Sequence, residues 1–185
     1  MHIIALSGAL RRASYNTALL RAAIAMAPEG VTMELRTLHG IPLYDGDVEA
    51  QGIPEAVTTL REAIRGADAL LISTPEYNNS IPGVLKNGLD WLSRPSGEGA
   101  KLFGGKPTGL IGATPGGFGT VQSQDALLSV LRTFGSDFWM AGRMMVSRAG
   151  TVFDADGRLA DDKVQGQLQQ FVDGFVEFVR KRSAP

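Results

Sequence analysis

The chain is 185 residues long, one domain's worth, and a compact fold of this size buries roughly 70% of its unfolded surface without needing covalent staples. It has no cysteine, which excludes disulfides, thiolate catalysis and cysteine-ligated metals and fits a cytoplasmic setting. Eighteen basic residues against nineteen acidic ones leave a formal charge of -1, so no single-sign field is expected to steer the chain onto nucleic acid.

The first residues, "MHIIALSGAL", show no basic leader, and no apolar run approaches the roughly 20 residues needed to cross a bilayer. A soluble protein is expected. "IIALS" at 3–7 reads as a buried parallel strand. Ser14 and Asn16 then suit the cap of a helix carrying Ala18, Leu19, Ala22, Ala23 and Met26, which ends at Pro28, Glu29 and Gly30. "VTMELRTL" at 31–38 alternates as a half-buried strand does, and "IPLYDGD" follows as a loop. A helix from about Pro54 to Arg65 precedes "ADALLIST" at 67–74, a strongly buried strand.

The loop "PEYNNSIPG" feeds a helix with Val84, Leu85, Leu89 and Leu92 on one side, stopping before Pro95. "SGEGA" at 96–100 reads as flexible linker. "KPTGLIGATPGG" supplies a fourth strand and a glycine-rich exit, and a helix runs from about Thr120 to Phe134. A fifth strand is expected within 137–147, and a closing helix over about 161–182 carries Val164, Leu168, Phe171, Phe175 and Phe178. Alternating strands and helices imply right-handed crossovers and a parallel sheet covered on both faces, in a single domain over 1–185.

Several short motifs fail on inspection. "GGFGTVQ" has Gln122 where a dinucleotide fingerprint needs glycine or alanine, and it follows the fourth strand rather than the first. "GAKLFGGKP" has Ala100 and Pro107 at positions a P-loop cannot spare. "DADG" at 154–157 lacks the later acidic ligands of a calcium loop, and Asp156-Gly157 between Phe153 and Leu159 reads as a hairpin turn. His2 and His39 have no metal-like partner at useful spacing, so no metal site is expected. With no cysteine and no G-x-S-x-G elbow, a nucleophile-base-acid triad is hard to assemble. An enzyme built this way needs a cofactor to carry the chemistry, with no catalytic side chain of its own.

In parallel sheets of this kind ligands sit beyond the carboxyl ends of the strands, where strand order reverses. Loops 8–16, 74–83 and 114–119 leave those ends. The first offers Arg11, Arg12, Ser14, Asn16 and the amides of a helix start, a set matched to a phosphate dianion. Equally, Ser14 or Asn16 caps the helix and both arginines lie in water. The second is stiffened by Pro75 and Pro82 around "EYNNSI" and suits a flat heterocycle. The third has glycines at 116, 117 and 119 that let a ring edge approach the main chain. A phosphate on one loop and a planar ring between the other two describes FMN in a flavodoxin-like fold.

"GALRRASYN", "PLYDGD", "TPEYNNSIPGVLKNGLDWLSRP" and "TPGGFGTVQSQ" resemble the successive motifs of the NAD(P)H-dependent FMN reductase family, the flavodoxin-like quinone and chromate reductases. "PEYNNSIPGVLKNGLDW" is the most specific of them. The resemblance implies a three-layer α/β/α fold with a five-stranded parallel sheet in the order 2-1-3-4-5. It implies that Arg11, Ser14 and Asn16 hold the FMN phosphate, with the backbone amide of Ala9 standing where such proteins usually have serine. Pro75, Glu76, Tyr77 and Asn78 would line the ring through main-chain groups and the Tyr77 body, and Thr114, Gly116 and Gly117 would face its pyrimidine edge. Tyr44 and Asp47 are implied near the mouth and subunit contact. NADPH or NADH would reduce the flavin and a quinone-like acceptor would oxidise it, in a homodimer or dimer of dimers. Gln122 and Asp125 depart from the arginine and tyrosine common in the corresponding helix of the quinone-reducing members. Release of reduced FMN to a partner, a flavodoxin-type electron carrier and a flavin-free binding module stand as alternatives.

Overall fold

The computed structural model describes residues 1–183. Its sheet is parallel throughout, in the order β2-β1-β3-β4-β5: β1 (His2–Ser7), β2 (Thr32–Arg36), β3 (Ala69–Ser73), β4 (Pro107–Ala113) and β5 (Asp137–Phe138). A further short strand, β6 (Met144–Val146), also pairs with β4, so the fifth place in the sheet is filled by two pieces. Alternation along the strands divides the apolar residues between the faces. Ile3, Ala5, Leu71 and Ile111 face α1 (Tyr15–Ala25) and the long C-terminal helix, while Ile4, Leu6, Leu70 and Ile72 face the helices between β2 and β5. That is the three-layer flavodoxin-like arrangement the sequence motifs imply.

The helices on the second face are α2 (Gly46–Gln51), α3 (Glu55–Arg65), α4 (Gly83–Leu92), α5 (Glu98–Phe103) and α6 (Val121–Thr133), and α7 (Asp162–Ser183) closes the chain. Two of these correct the sequence reading. The stretch expected as flexible linker at 96–100 leads into α5, because Leu102 and Phe103 are buried and Phe103 stacks on Phe134 at 5.5 Å. Glu98 pins this helix to Arg65 of α3 at 2.9 Å and pairs within the helix with Lys101 at 3.0 Å. The segment after "PLYD" coils into α2, whose Asp45 cap accepts from Asp47 N at 2.9 Å.

The single fifth strand expected in 137–147 is broken because Trp139 turns into the sheet edge. Its indole stands edge-on to Phe171, with ring centroids 4.7 Å apart. Gly142 and Gly174 make room for it: a Cβ on either would lie 2.1 or 2.7 Å from the indole. The hairpin expected at Asp156-Gly157 is present, with Phe153 bridged to Leu159 and Gly157 at φ +76°. Trp91 is fully buried in the core.

Candidate functional site

Loops 8–14, 74–82 and 114–120 gather at the carboxyl ends of β1, β3 and β4, and their anchorage explains their shapes. Gly8 N donates to Ser73 O at 2.8 Å, and a Cβ on Gly8 would meet that same oxygen at 3.1 Å. The chain then turns into α1 with Ser14 as its cap, Ser14 Oγ accepting from Asn16 N at 3.2 Å and Thr17 N at 3.5 Å. Both readings of Ser14 coexist: the oxygen caps the helix, and the hydroxyl hydrogen stays available to an acceptor.

Ahead of that cap the backbone N–H groups of Leu10, Arg11, Arg12 and Ala13 donate to no protein acceptor among the described residues, and neither does that of Tyr15. Successive free amides at a helix start form a cradle for an anion. Neither Arg11 nor Arg12 makes an ion pair among the described residues, and Arg11 rests over the Tyr15 ring at 5.4 Å. A cavity of about 470 Å³ runs along Arg11, Arg12, Ser14 and Tyr15 toward the 153–157 hairpin.

Asn16 and Ala9 each have hydrogen-bond partners within the protein. Asn16 is 2% exposed. Its Nδ2 donates to Ala113 O at 2.8 Å, while Oδ1 accepts from Ala113 N and from Ser73 Oγ, each at 2.9 Å. The side chain thus pairs with the end of β4 as another strand would, and orders the loops. Ala9 is buried and its N–H turns back to Ser7 Oγ at 3.4 Å.

The second loop is a tight hairpin turn. Tyr77 and Ser80 exchange both backbone hydrogen bonds, at 3.0 and 3.1 Å, and Asn78 and Asn79 both take positive φ, 51° and 61°. Asparagine tolerates this left-handed region better than most residues, which is why the turn closes without glycine. Pro75 is buried, Glu76 N is free of protein acceptors among the described residues, and Tyr77 is 52% exposed.

The third loop is tied to the strand beyond it: Thr114 N donates to Val146 O at 2.9 Å, Ala149 N to Thr114 O at 3.0 Å and Arg148 N to Gly116 O at 2.9 Å. Gly116 N reaches Thr114 Oγ1 at 3.3 Å. A Cβ on Gly117 would meet nothing within 4 Å, so the space beside that glycine lies open, and the N–H groups of Gly117 and Phe118 have no protein acceptor among the described residues. Phe118 itself is 91% exposed.

Sequence reasoning missed the links between loops. Thr74 and Ser123 hydroxyls lie 2.8 Å apart, and each donates to Pro75 O at 2.8 Å. Glu76, expected to act through its backbone, also has an engaged carboxylate: Oε2 accepts from Gln122 N at 2.9 Å and Ser123 N at 3.1 Å. No local signal marks contacts that span more than forty residues.

Tyr44 is held over α4. Its N–H donates to Asn87 Oδ1, its hydroxyl to Glu49 Oε2, and Arg94 Nε donates to the same oxygen, each at 2.8 Å. The hydrogen bond from Arg94, then that from Tyr44, hold the Glu49 carboxyl below its ordinary pKa. The hydrogen bond to Glu49 raises the Tyr44 phenol. Asp47 is exposed on α2. Among the described residues no cluster of histidine, aspartate or glutamate could hold a metal ion, and no helix is long and apolar enough to cross a membrane.

The sequence profile of NADPH-dependent FMN reductases matches residues 1–151. The chain belongs to that family. An NAD(P)H-dependent FMN reductase of Pseudomonas aeruginosa is 45% identical over 179 residues, covering 97% of this chain and 95% of the relative. A 2-hydroxy-1,4-benzoquinone reductase from a Burkholderia species is 36% identical over 182 residues, covering 98% of each. Among solved structures, the FerB flavoenzyme of Paracoccus denitrificans, an NAD(P)H:(acceptor) oxidoreductase, superposes with a TM-score of 0.87 at 33% identity, covering 98% of each chain. The family profile includes all three loops. A further cavity of about 480 Å³, between α6 and the 138–145 segment, is lined by Asn79, Gln122 and Asp125 of the motif regions together with Phe138, Trp139 and Met140.

Proposed function

We propose that this protein is an FMN-dependent NAD(P)H oxidoreductase with a quinone-like electron acceptor, built as one flavodoxin-like domain. The observation that carries the reading is the donor set before α1: consecutive unpartnered amides beside the unpaired Arg11 guanidinium and the Ser14 hydroxyl. Each of these has a hydrogen to donate, and in number and charge the set suits a phosphate monoester. The relatives' activities and the superposition on FerB support the same assignment.

Arg11, Ser14 and the amides of 10–13 would hold the phosphate, with Asn16 fixing the loop from behind. Pro75, Glu76, Tyr77 and Asn78 would line the ring, and Thr114, Gly116 and Gly117 its pyrimidine edge. Bound FMN supplies the chemistry that no side chain here can, taking hydride from NADPH or NADH and passing two electrons onward. The chain's own part is electrostatic and steric. The free N–H groups of Gly117 and Phe118 would favour negative charge at the pyrimidine edge, and the Tyr77 body would cover part of the ring.

Leu43 is 82% exposed beside exposed Tyr44 and Val48, which supports burial of the "PLY" loop against a second copy in a homodimer. Absence of cysteine supports a cytoplasmic setting.

The test is direct. Purified protein should be yellow or take up FMN at micromolar concentration, bleach anaerobically with NADPH or NADH, and recover colour on adding a quinone, with parallel double-reciprocal plots. A colourless protein that refuses FMN overturns the assignment.

A further inference from the structure

Helix α6 has no cap of its own: Thr120 precedes it without a side-chain hydrogen bond to its first turn. The cap arrives from another loop. Glu76 Oε2 accepts from Gln122 N at 2.9 Å and Ser123 N at 3.1 Å, the second and third amides of this 13-residue helix. Directly beneath, the fully buried hydroxyls of Thr74 and Ser123 both bond Pro75 O at 2.8 Å. Loop 74–80 is therefore joined to the start of α6, directly after loop 114–120, and the joint is held on its exposed side by a single carboxylate.

That carboxylate also has an electrostatic consequence. A helix start carries roughly half a positive charge. Left bare beside the ring site, it would favour an electron-rich ligand. A full negative charge placed on those amides reverses the local sign.

We propose that Glu76 is a positioning residue that locks the two ring-lining loops together and, through its charge at the start of α6, lowers the reduction potential of the bound flavin. This rests on the FMN assignment above. A lower potential makes the reduced cofactor a better donor to a quinone-like acceptor, which gives the charge a purpose that capping alone does not need.

Two substitutions separate the roles. Glu76→Gln keeps an oxygen that can accept from both amides and removes the charge. Glu76→Ala removes both. For each variant, FMN affinity is measured by fluorescence quenching, midpoint potential by dye equilibration, and amide exchange at Gln122 and Ser123 in the apo-protein. Glu76→Gln should keep FMN affinity within about threefold and keep amide protection, while its preference for reduced over oxidised FMN rises roughly fivefold to tenfold. Glu76→Ala should lose protection at both amides and bind FMN roughly tenfold more weakly.

A Glu76→Gln potential equal to that of the wild type, or wild-type FMN affinity in Glu76→Ala, overturns this inference while leaving the flavoenzyme assignment standing. Wild-type protein that takes up no FMN overturns that assignment and the effect on potential with it. The exchange of the Gln122 and Ser123 amides decides the lock between loops independently of any cofactor.

Discussion

Ser73 and Asn16 lie 57 residues apart in sequence, and Ser73 Oγ donates to Asn16 Oδ1 at 2.9 Å, both residues buried at the carboxyl end of β3. Through Asn16 the end of β3 is joined to the start of α1 and, by the paired bonds to Ala113, to the end of β4. Replacing Asn16 with leucine keeps the volume and leaves buried donors and acceptors unpaired, at a cost of about 3 kcal/mol. For a chain of this length the melting temperature should fall by roughly 6–12 °C. Calorimetry of the apo-protein checks it; a shift under about 2 °C would show that the three-way joint is dispensable.

Arg11→Gln should weaken FMN binding roughly 10- to 100-fold, because a charge-assisted bond to phosphate is lost. Riboflavin, which has no phosphate, should bind the variant and the wild type equally. Titrations of both flavins at one salt concentration make the comparison, and an equal loss for both would remove Arg11 from the phosphate site.

Gly117 and Gly119 are two residues apart and do different work. Gly119 sits at φ +68° with Met145 Cβ 3.0 Å from where its own Cβ would be. Gly119→Ala should cost about 1–2 kcal/mol in the apo-protein. A Cβ at Gly117 meets nothing, so Gly117→Ala should leave apo stability unchanged and weaken FMN by crowding the ring edge. Paired melting and binding measurements separate the two effects.

Glu49 makes the "PLY" loop sensitive to acid. Its folded pKa lies below the ordinary carboxylate value, chiefly through the hydrogen bond from Arg94. A depressed folded value contributes stability that is complete above the ordinary range and lost as pH falls through the lowered one. Glu49→Gln carries no charge at any pH. It should therefore melt below wild type at neutral pH and converge on it below about pH 4. A gap that stays constant across that range would mean the carboxylate's charge contributes nothing.

Much of this was legible before the fold. Ile3 to Ser7 and Ala69 to Ser73 announce themselves as strands by unbroken apolar runs, and the 3.6-residue spacing of Leu168, Phe171 and Phe175 marks α7. The three loops stood out by composition: two arginines among small polar residues, two prolines around "EYNNSI", and glycines at 116, 117 and 119. Helix α5 was not legible, since "SGEGA" is linker-like until Leu102 and Phe103 find the core.

What the sequence alone determined was most of the strands and helices and the composition of the three loops at the carboxyl ends of the sheet, because strand and helix periodicity and turn composition are local properties of the chain. Which polar side chains hold the scaffold was decided only in three dimensions. Asn16 looked like a donor and is bound to Ala113; the Glu76 carboxylate looked idle and caps α6. Hydrogen-bond partners are assigned by proximity in the fold, and a buried polar group takes whichever partner the packing brings within about 3 Å.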